Sequence, residues 1–174
     1  MAPRDDVLLA EGRHLRFVSR DGWEFVDRPH VTGIAVLVAV TEEGRLLLVE
    51  QRRPAVSRSV IELPAGLCGD EADARGEPLE AAARRELLEE TGYEAREVAP
   101  LTQGPPSAGV SSEVVTFFRA RGLTRRAAGG GVASERIVVH EVPLAEADAW
   151  LSGREAEGAV VDPKVWAGLY FALR

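Results

Sequence analysis

Apolar and polar positions divide the chain into stretches of strand period and helix period. Leu15 and Phe17, then Trp23 and Phe25, alternate with polar residues on either side of Arg20-Asp21-Gly22, which predicts a hairpin. Residues 31–40 form a nearly continuous apolar run, Glu42-Glu43-Gly44-Arg45 is polar, and residues 46–49 are apolar again. These predict a second, buried hairpin. Residues 60–63 predict a short strand entering a Pro64-Ala65-Gly66 turn, and 94–101, 114–118 and 137–142 predict further strands. A short helix is expected over 144–151, ending at Ser152-Gly153. Another begins at Asp162-Pro163, with Asp as N-cap and Pro at the first position. Residues 104–112 are rich in turn formers, and 125–134, with three consecutive glycines, are expected to be mobile.

One helix organises the rest. Glu77-Pro-Leu-Glu-Ala-Ala-Ala-Arg-Arg-Glu-Leu-Leu-Glu-Glu-Thr-Gly-Tyr93 has Pro78 where a helix starts and Gly92 where a left-handed cap ends one. At about 100° per residue, Glu86, Glu89 and Glu90 fall at the edge of the apolar stripe formed by Leu79, Ala82, Ala83 and Leu87. Like charges at these spacings repel, and the helix dipole disfavours anions at this end. Three such penalties point to a missing cation, and oxygen ligands point to a hard one, Mg2+ or Mn2+. The charge pattern alone equally describes a solvated acidic helix end partly neutralised by Arg84 and Arg85.

Composition narrows the classes. A chain of 174 residues predicts one domain with a proper core. A net charge of −7 argues against a general nucleic-acid surface. A single cysteine excludes an internal disulfide and fits a reducing cytoplasm. No apolar run approaches the roughly 20 residues of a membrane span, and the N-terminal residues lack the apolar core of a signal peptide. His14, His30 and His140 lack metal-site spacing, and no nucleophile elbow, Cys-x-x-Cys pair or P-loop appears.

Glu77, Arg85, Glu86, Leu87, Glu89, Glu90, Gly92 and Tyr93 match the signature of the Nudix hydrolases in type and spacing. The signature's opening Gly would fall at residue 71, which is Glu; Gly66 is its counterpart, implying a five-residue insertion before Glu77. Trp23-Glu24-Phe25-Val26-x-Arg28, Gln51-x-Arg53-Pro54 and Glu62-Leu-Pro-Ala-Gly66 further resemble the ADP-ribose pyrophosphatase branch.

The resemblance implies an α+β fold, a Nudix-type α/β/α sandwich with a mixed sheet, plus a small N-terminal antiparallel β unit. It divides the chain into residues 1–30, a dimerising β unit, and 31–174, the hydrolase domain. It implies metal-dependent cleavage of ADP-ribose or a related nucleoside diphosphate sugar. Glu86, Glu89 and Glu90, with the Ala65 carbonyl, would be metal ligands, and Arg85 would orient Glu77. Glu135 would be the general base on a loop before a strand, with Glu141 as fallback. Arg53 would contact substrate, and Trp23 would either stack on the base or simply pack. Glu113 is either a site carboxylate or a solvated strand end. Cys68 is incidental to the chemistry. The expected partners are a nucleotide-sugar substrate and a second subunit paired through the N-terminal sheet, with no membrane or nucleic acid. The rival readings are another Nudix substrate (a nucleoside triphosphate, a dinucleoside polyphosphate or coenzyme A) or a non-catalytic ligand sensor.

Overall fold

The computed structural model describes residues 6–69, 76–131 and 136–174. Strands β1 (Val7–Glu11), β2 (Arg16–Arg20) and β3 (Trp23–Asp27) form an antiparallel three-stranded sheet. The predicted hairpin is its β2–β3 pair, turning at Asp21 and Gly22, both with positive φ. This sheet rests on the 107–112 loop: the Val26 N–H donates to the Val110 carbonyl at 2.8 Å, and the Ser112 N–H to the Val26 carbonyl at 3.1 Å.

The main body contains β4 (Gly33–Ala39), β5 (Arg45–Arg53), β6 (Arg58–Glu62), β7 (Ala65–Cys68), α1 (Leu79–Thr91), β8 (Tyr93–Gly104), β9 (Val115–Arg125), β10 (Val138–Pro143), α2 (Ala147–Ala156), β11 (Val160–Val161) and α3 (Pro163–Ala172). Two four-stranded sheets, ordered β7-β4-β9-β8 and β10-β5-β6-β11, lie between the helices. Both are mixed: β4–β9 and β6–β11 are parallel, the other pairs antiparallel.

Strand β4 shows why its sequence reads as a continuous apolar run. Ala35, Leu37 and Ala39 pack with Ala83 and Leu87 of α1. Val36 and Val38 pack on the other side with Leu151 of α2 and with Val165 and Leu169 of α3. A strand covered on both faces has no polar alternate. The same burial corrects the expected second hairpin. β4 and β5 are bridged at Val40–Leu46 and lie in different sheets. The turn is present, with Gly44 at φ 73°, but it is a corner between sheets.

The helix ends follow their caps with two shifts. Pro78, at ψ 140°, is the N-cap of α1 and not its first residue. α2 runs past Ser152-Gly153 to Ala156 after a short 3-10 turn at Leu144–Glu146. Asp162 caps α3 as expected, its side chain accepting the Lys164 N–H at 2.7 Å.

The glycine-rich segment departs furthest from expectation. Gly129, Gly130 and Gly131, expected to be loose, all have positive φ and dock on the C-terminal end of α1. The Gly130 N–H donates to the Glu90 carbonyl at 2.8 Å and the Gly131 N–H to the Glu89 carbonyl at 3.1 Å. They supply donors that a helix end otherwise lacks.

Candidate active site

α1 presents its acidic residues unequally. Glu86 and Glu90, one turn apart, line a cavity of about 450 Å³ together with Ala65 and Gly66 of β7. Glu90 is only 5% exposed, and its Oε2 accepts the Ala65 N–H at 2.9 Å. Gly66 makes room for Glu86: a Cβ there would lie 1.9 Å from the Glu86 Cδ. A side chain at Gly66 would therefore have to displace the end of Glu86.

Arg85 ties the remaining carboxylates together beside the cavity. Its Nη1 donates to Glu86 Oε1 at 2.8 Å and to Glu89 Oε2 at 3.2 Å, and its Nη2 lies 3.5 Å from Glu77 Oε2. Burial opposes its charge, but Glu86 and Glu77 outweigh that and raise its pKa above the ordinary arginine value. Arg85 thus engages three carboxylates, with Glu86 nearest and the expected partner Glu77 farthest. Arg84 points elsewhere, pairing with Glu80 at 3.1 Å and donating to the Ala95 carbonyl at 2.7 Å.

The cavity is also lined by basic side chains, Arg28 and Arg53 among them, and by the carboxylates Glu113 and Glu62 that pair with those two. Arg53, at the end of β5, pairs with Glu62 at 2.7 Å. Arg28 follows β3 and pairs with Glu113 at 2.9 Å. Lys164 at the start of α3 and Gln51 of β5 also line the cavity. The structure thus brings Ala65, Glu86, Glu90, Arg53 and Glu113 to one cavity, and sets Glu77, Arg85 and Glu89 beside it. Glu113 lines the cavity and is paired with Arg28.

Trp23 lies in a separate hollow of about 350 Å³ with Arg20, Phe25 and Ser112, and does not line the cavity of Glu86 and Glu90. It is 64% exposed, and its Nε1 donates to the Gly109 carbonyl at 3.2 Å. Glu141 accepts from the Tyr93 hydroxyl at 2.9 Å and from Arg125 Nη1 at 3.1 Å; it does not line the cavity. Glu135 lies outside the described residues. Arg28, Gln51 and Lys164 were missed as site residues. Arg28 and Gln51 stand within the very motifs that carried the resemblance, whereas Lys164 carried no signal beyond its place in an N-terminal helical turn.

Carboxylate and backbone carbonyl oxygens suit a hard divalent cation, and Gly66 leaves space for one of those carboxylates at the cavity. Among the described residues no three acidic or other ligating side chains converge on one point. Arg85 holds Glu86 and Glu89, while the Ala65 N–H holds Glu90.

The family model described as NUDIX domain matches residues 30–161. The chain belongs to the Nudix family. It is 32% identical over 144 residues to a methanol dehydrogenase activator of Bacillus methanolicus, covering 82% of this chain and 70% of that protein. It is 38% identical over 101 residues to an ADP-ribose pyrophosphatase of Bacillus subtilis, covering 58% of this chain and 50% of that one. It is 37% identical over 153 residues to a GDP-mannose pyrophosphatase of Citrobacter koseri, covering 83% and 76%. A crystal structure of an ADP compounds hydrolase shares the fold, with a TM-score of 0.67 at 20% identity over 85% of this chain and 80% of that one. Nudix hydrolases generally use divalent metal ions, consistent with the donor set on α1. No helix among the described residues is long and apolar enough to cross a membrane.

Proposed function

We propose that this Nudix hydrolase cleaves the pyrophosphate of ADP-ribose or a related nucleoside diphosphate sugar with Mg2+ or Mn2+, giving a nucleoside monophosphate and a sugar phosphate. The observation that carries the reading is the cavity itself, which Glu86 and Glu90 line together with Arg28 and Arg53. Similarity to an ADP-ribose and a GDP-mannose pyrophosphatase supports the substrate class.

Glu86 and Glu90 would hold the cation, with Glu89 close behind and the Ala65 carbonyl completing the set. Arg85 orients Glu86 and Glu89 without touching the cation. When bound, a divalent cation neutralises phosphate charge and lowers the pKa of the attacking water. Arg53 and Arg28 offer guanidinium forks to phosphate oxygens. Glu135 takes the proton from water as its oxygen forms a bond to one phosphorus. The bridging P–O bond breaks, and its oxygen leaves on the other phosphate. Trp23 serves as a stacking surface for the base.

Residues 1–30 form the dimerising unit and 31–174 the hydrolase domain. Val7, Leu8, Leu9, Phe17 and Trp23 are exposed on the N-terminal sheet, apolar area that a second subunit would cover. A protein with one buried thiol suits the cytoplasm.

The test is a product assay with Mg2+ on ADP-ribose, ADP-glucose, GDP-mannose, ATP and coenzyme A separately. AMP and ribose 5-phosphate from ADP-ribose support the reading. Cleavage of ATP or coenzyme A alone discards the substrate class, and tight binding without turnover makes the protein a sensor.

A further inference from the structure

We infer that the Gly129–Gly131 turn is a positioning element for the metal-binding turn of α1; the inference rests on the proposed role of Glu89 and Glu90 at the cation. The last turn of a helix exposes carbonyls with no partner and a partial negative charge. In α1 that turn also carries Glu89 and Glu90, so its backbone and side chains repel in the same place. The structure answers this with backbone donors from a segment distant in sequence. Gly92 N–H closes on the Leu88 carbonyl at 2.9 Å, Gly131 N–H on the Glu89 carbonyl at 3.1 Å and Gly130 N–H on the Glu90 carbonyl at 2.8 Å. The Arg126 and Ala127 N–H groups reach the Gly92 carbonyl at 2.8 and 3.1 Å. Consecutive carbonyls from Leu88 to Glu90 are thereby held, and the two contributed by the turn belong to the residues whose carboxylates matter.

The contact has no room for a side chain from either direction. A Cβ on Gly129 would lie 2.5 Å from the Thr91 carbonyl carbon and 2.7 Å from the Glu90 carbonyl oxygen. A Cβ on Gly92 would lie 2.3 Å from the Ala127 carbonyl oxygen. Both obstacles are backbone, which cannot rotate away. A methyl at Gly129 therefore shifts the Glu90–Thr91 peptide, and the Glu90 carboxylate moves with it. Glycine is required here for close approach as well as for its φ of 75°.

The experiment is Mn2+ titration without substrate, following free Mn2+ by its electron paramagnetic resonance signal, at a temperature where thermal melts show each variant folded. Gly129→Ala is compared with Gly158→Ala, which has the same kind of positive φ, 92°, but nothing within 4 Å of its Cβ. Glu90→Gln reports on the underlying reading. Gly129→Ala is expected to bind Mn2+ on the order of 10-fold more weakly, the scale of losing a group that orients a metal ligand. Gly158→Ala is expected to bind as the parent does. If Gly129→Ala does not fold, Gly130→Ala takes its place: its Cβ meets nothing closer than the Ile137 carbonyl oxygen at 3.7 Å, but its φ of 108° is strained for any side chain, and relief of that strain displaces the N–H that the Glu90 carbonyl accepts. Parental affinity in the folded glycine variant, or equal weakening in Gly158→Ala, overturns the inference. If Glu90→Gln itself keeps parental affinity, the metal reading fails and this one with it; if Glu90→Gln loses affinity and the glycine variant does not, only this inference fails.

Discussion

The Ala65 N–H donates to Glu90 Oε2 at 2.9 Å across a separation of 25 residues, so one carboxylate joins β7 to the end of α1. A glutamine in its place still offers a carbonyl oxygen to that N–H but no negative charge. Glu90→Gln is expected to melt near the parent temperature and to lose on the order of 100-fold or more in kcat, since several kcal/mol of charge stabilisation go with the cation. Circular dichroism melts and steady-state product analysis check both halves. Near-parental turnover would remove Glu90 from the ligand set.

Gly66→Ala separates site geometry from stability in another way. The backbone there does not need a positive φ, and the group that a Cβ would strike, 1.9 Å away, is the movable end of Glu86. The fold should survive with a change within about 1 kcal/mol, the usual range for a tolerated substitution. Activity should fall at least about tenfold as Glu86 leaves the cavity, a loss of ~1.4 kcal/mol in transition-state stabilisation. Parental kcat/KM would show that Glu86 can serve from a second position.

Arg85→Lys keeps the charge and removes the fork. The guanidinium reaches Glu86, Glu89, Glu77 and the Leu67 carbonyl at once, which a single ammonium cannot. Metal affinity is expected to drop about 10- to 100-fold, as for lost partners of metal ligands. Calorimetric titration with Mg2+ measures it, and an unchanged affinity would reduce Arg85 to a structural cross-link.

Tyr93 gives the pH prediction. Burial, then its bond to Glu141, raises its hydroxyl pKa above the ordinary tyrosine value. The folded state therefore holds this proton more tightly than the unfolded chain. Its contribution is fully present below about pH 10, the unfolded value, and is lost as pH rises through the higher folded one. Tyr93→Phe should be less stable by about 1 kcal/mol at neutral pH, and its stability should fall less steeply above pH 10. Urea unfolding at pH 8 and pH 10.5 compares the slopes; identical slopes would show that the hydroxyl titrates alike in both states.

The sequence made α1 legible because its information is local: Pro78, Gly92 and the spacing of the glutamates sit on the element that they define. The sheets were less legible. Apolar residues at 31–40 report burial, but nothing in them says that β4 pairs with β7 and β9 instead of β5. The glycine turn was misread for a related reason. Its partners are carbonyls of residues some forty positions earlier, and a glycine has no side chain to announce them. Arg28 and Lys164 face the cavity only because β3 and α3 are brought to its rim by contacts distant in sequence. Some apparent charge penalty on α1 also had an answer that composition could not reveal, since Arg85 and backbone N–H groups from residues 130 and 131 already offset it.

Cys68 is 1% exposed, and its thiol donates to the Glu77 carbonyl at 3.0 Å. Glu77 in turn meets Arg85, so the sulfur sits behind the carboxylate network. A thiol reagent reaches so buried a sulfur through local opening of the structure around it. Its labelling rate is therefore a clock for local opening at the back of the site. The one cysteine is a built-in reporter, needing no attached probe, of how often the carboxylate scaffold comes apart and how far a bound cation slows that opening.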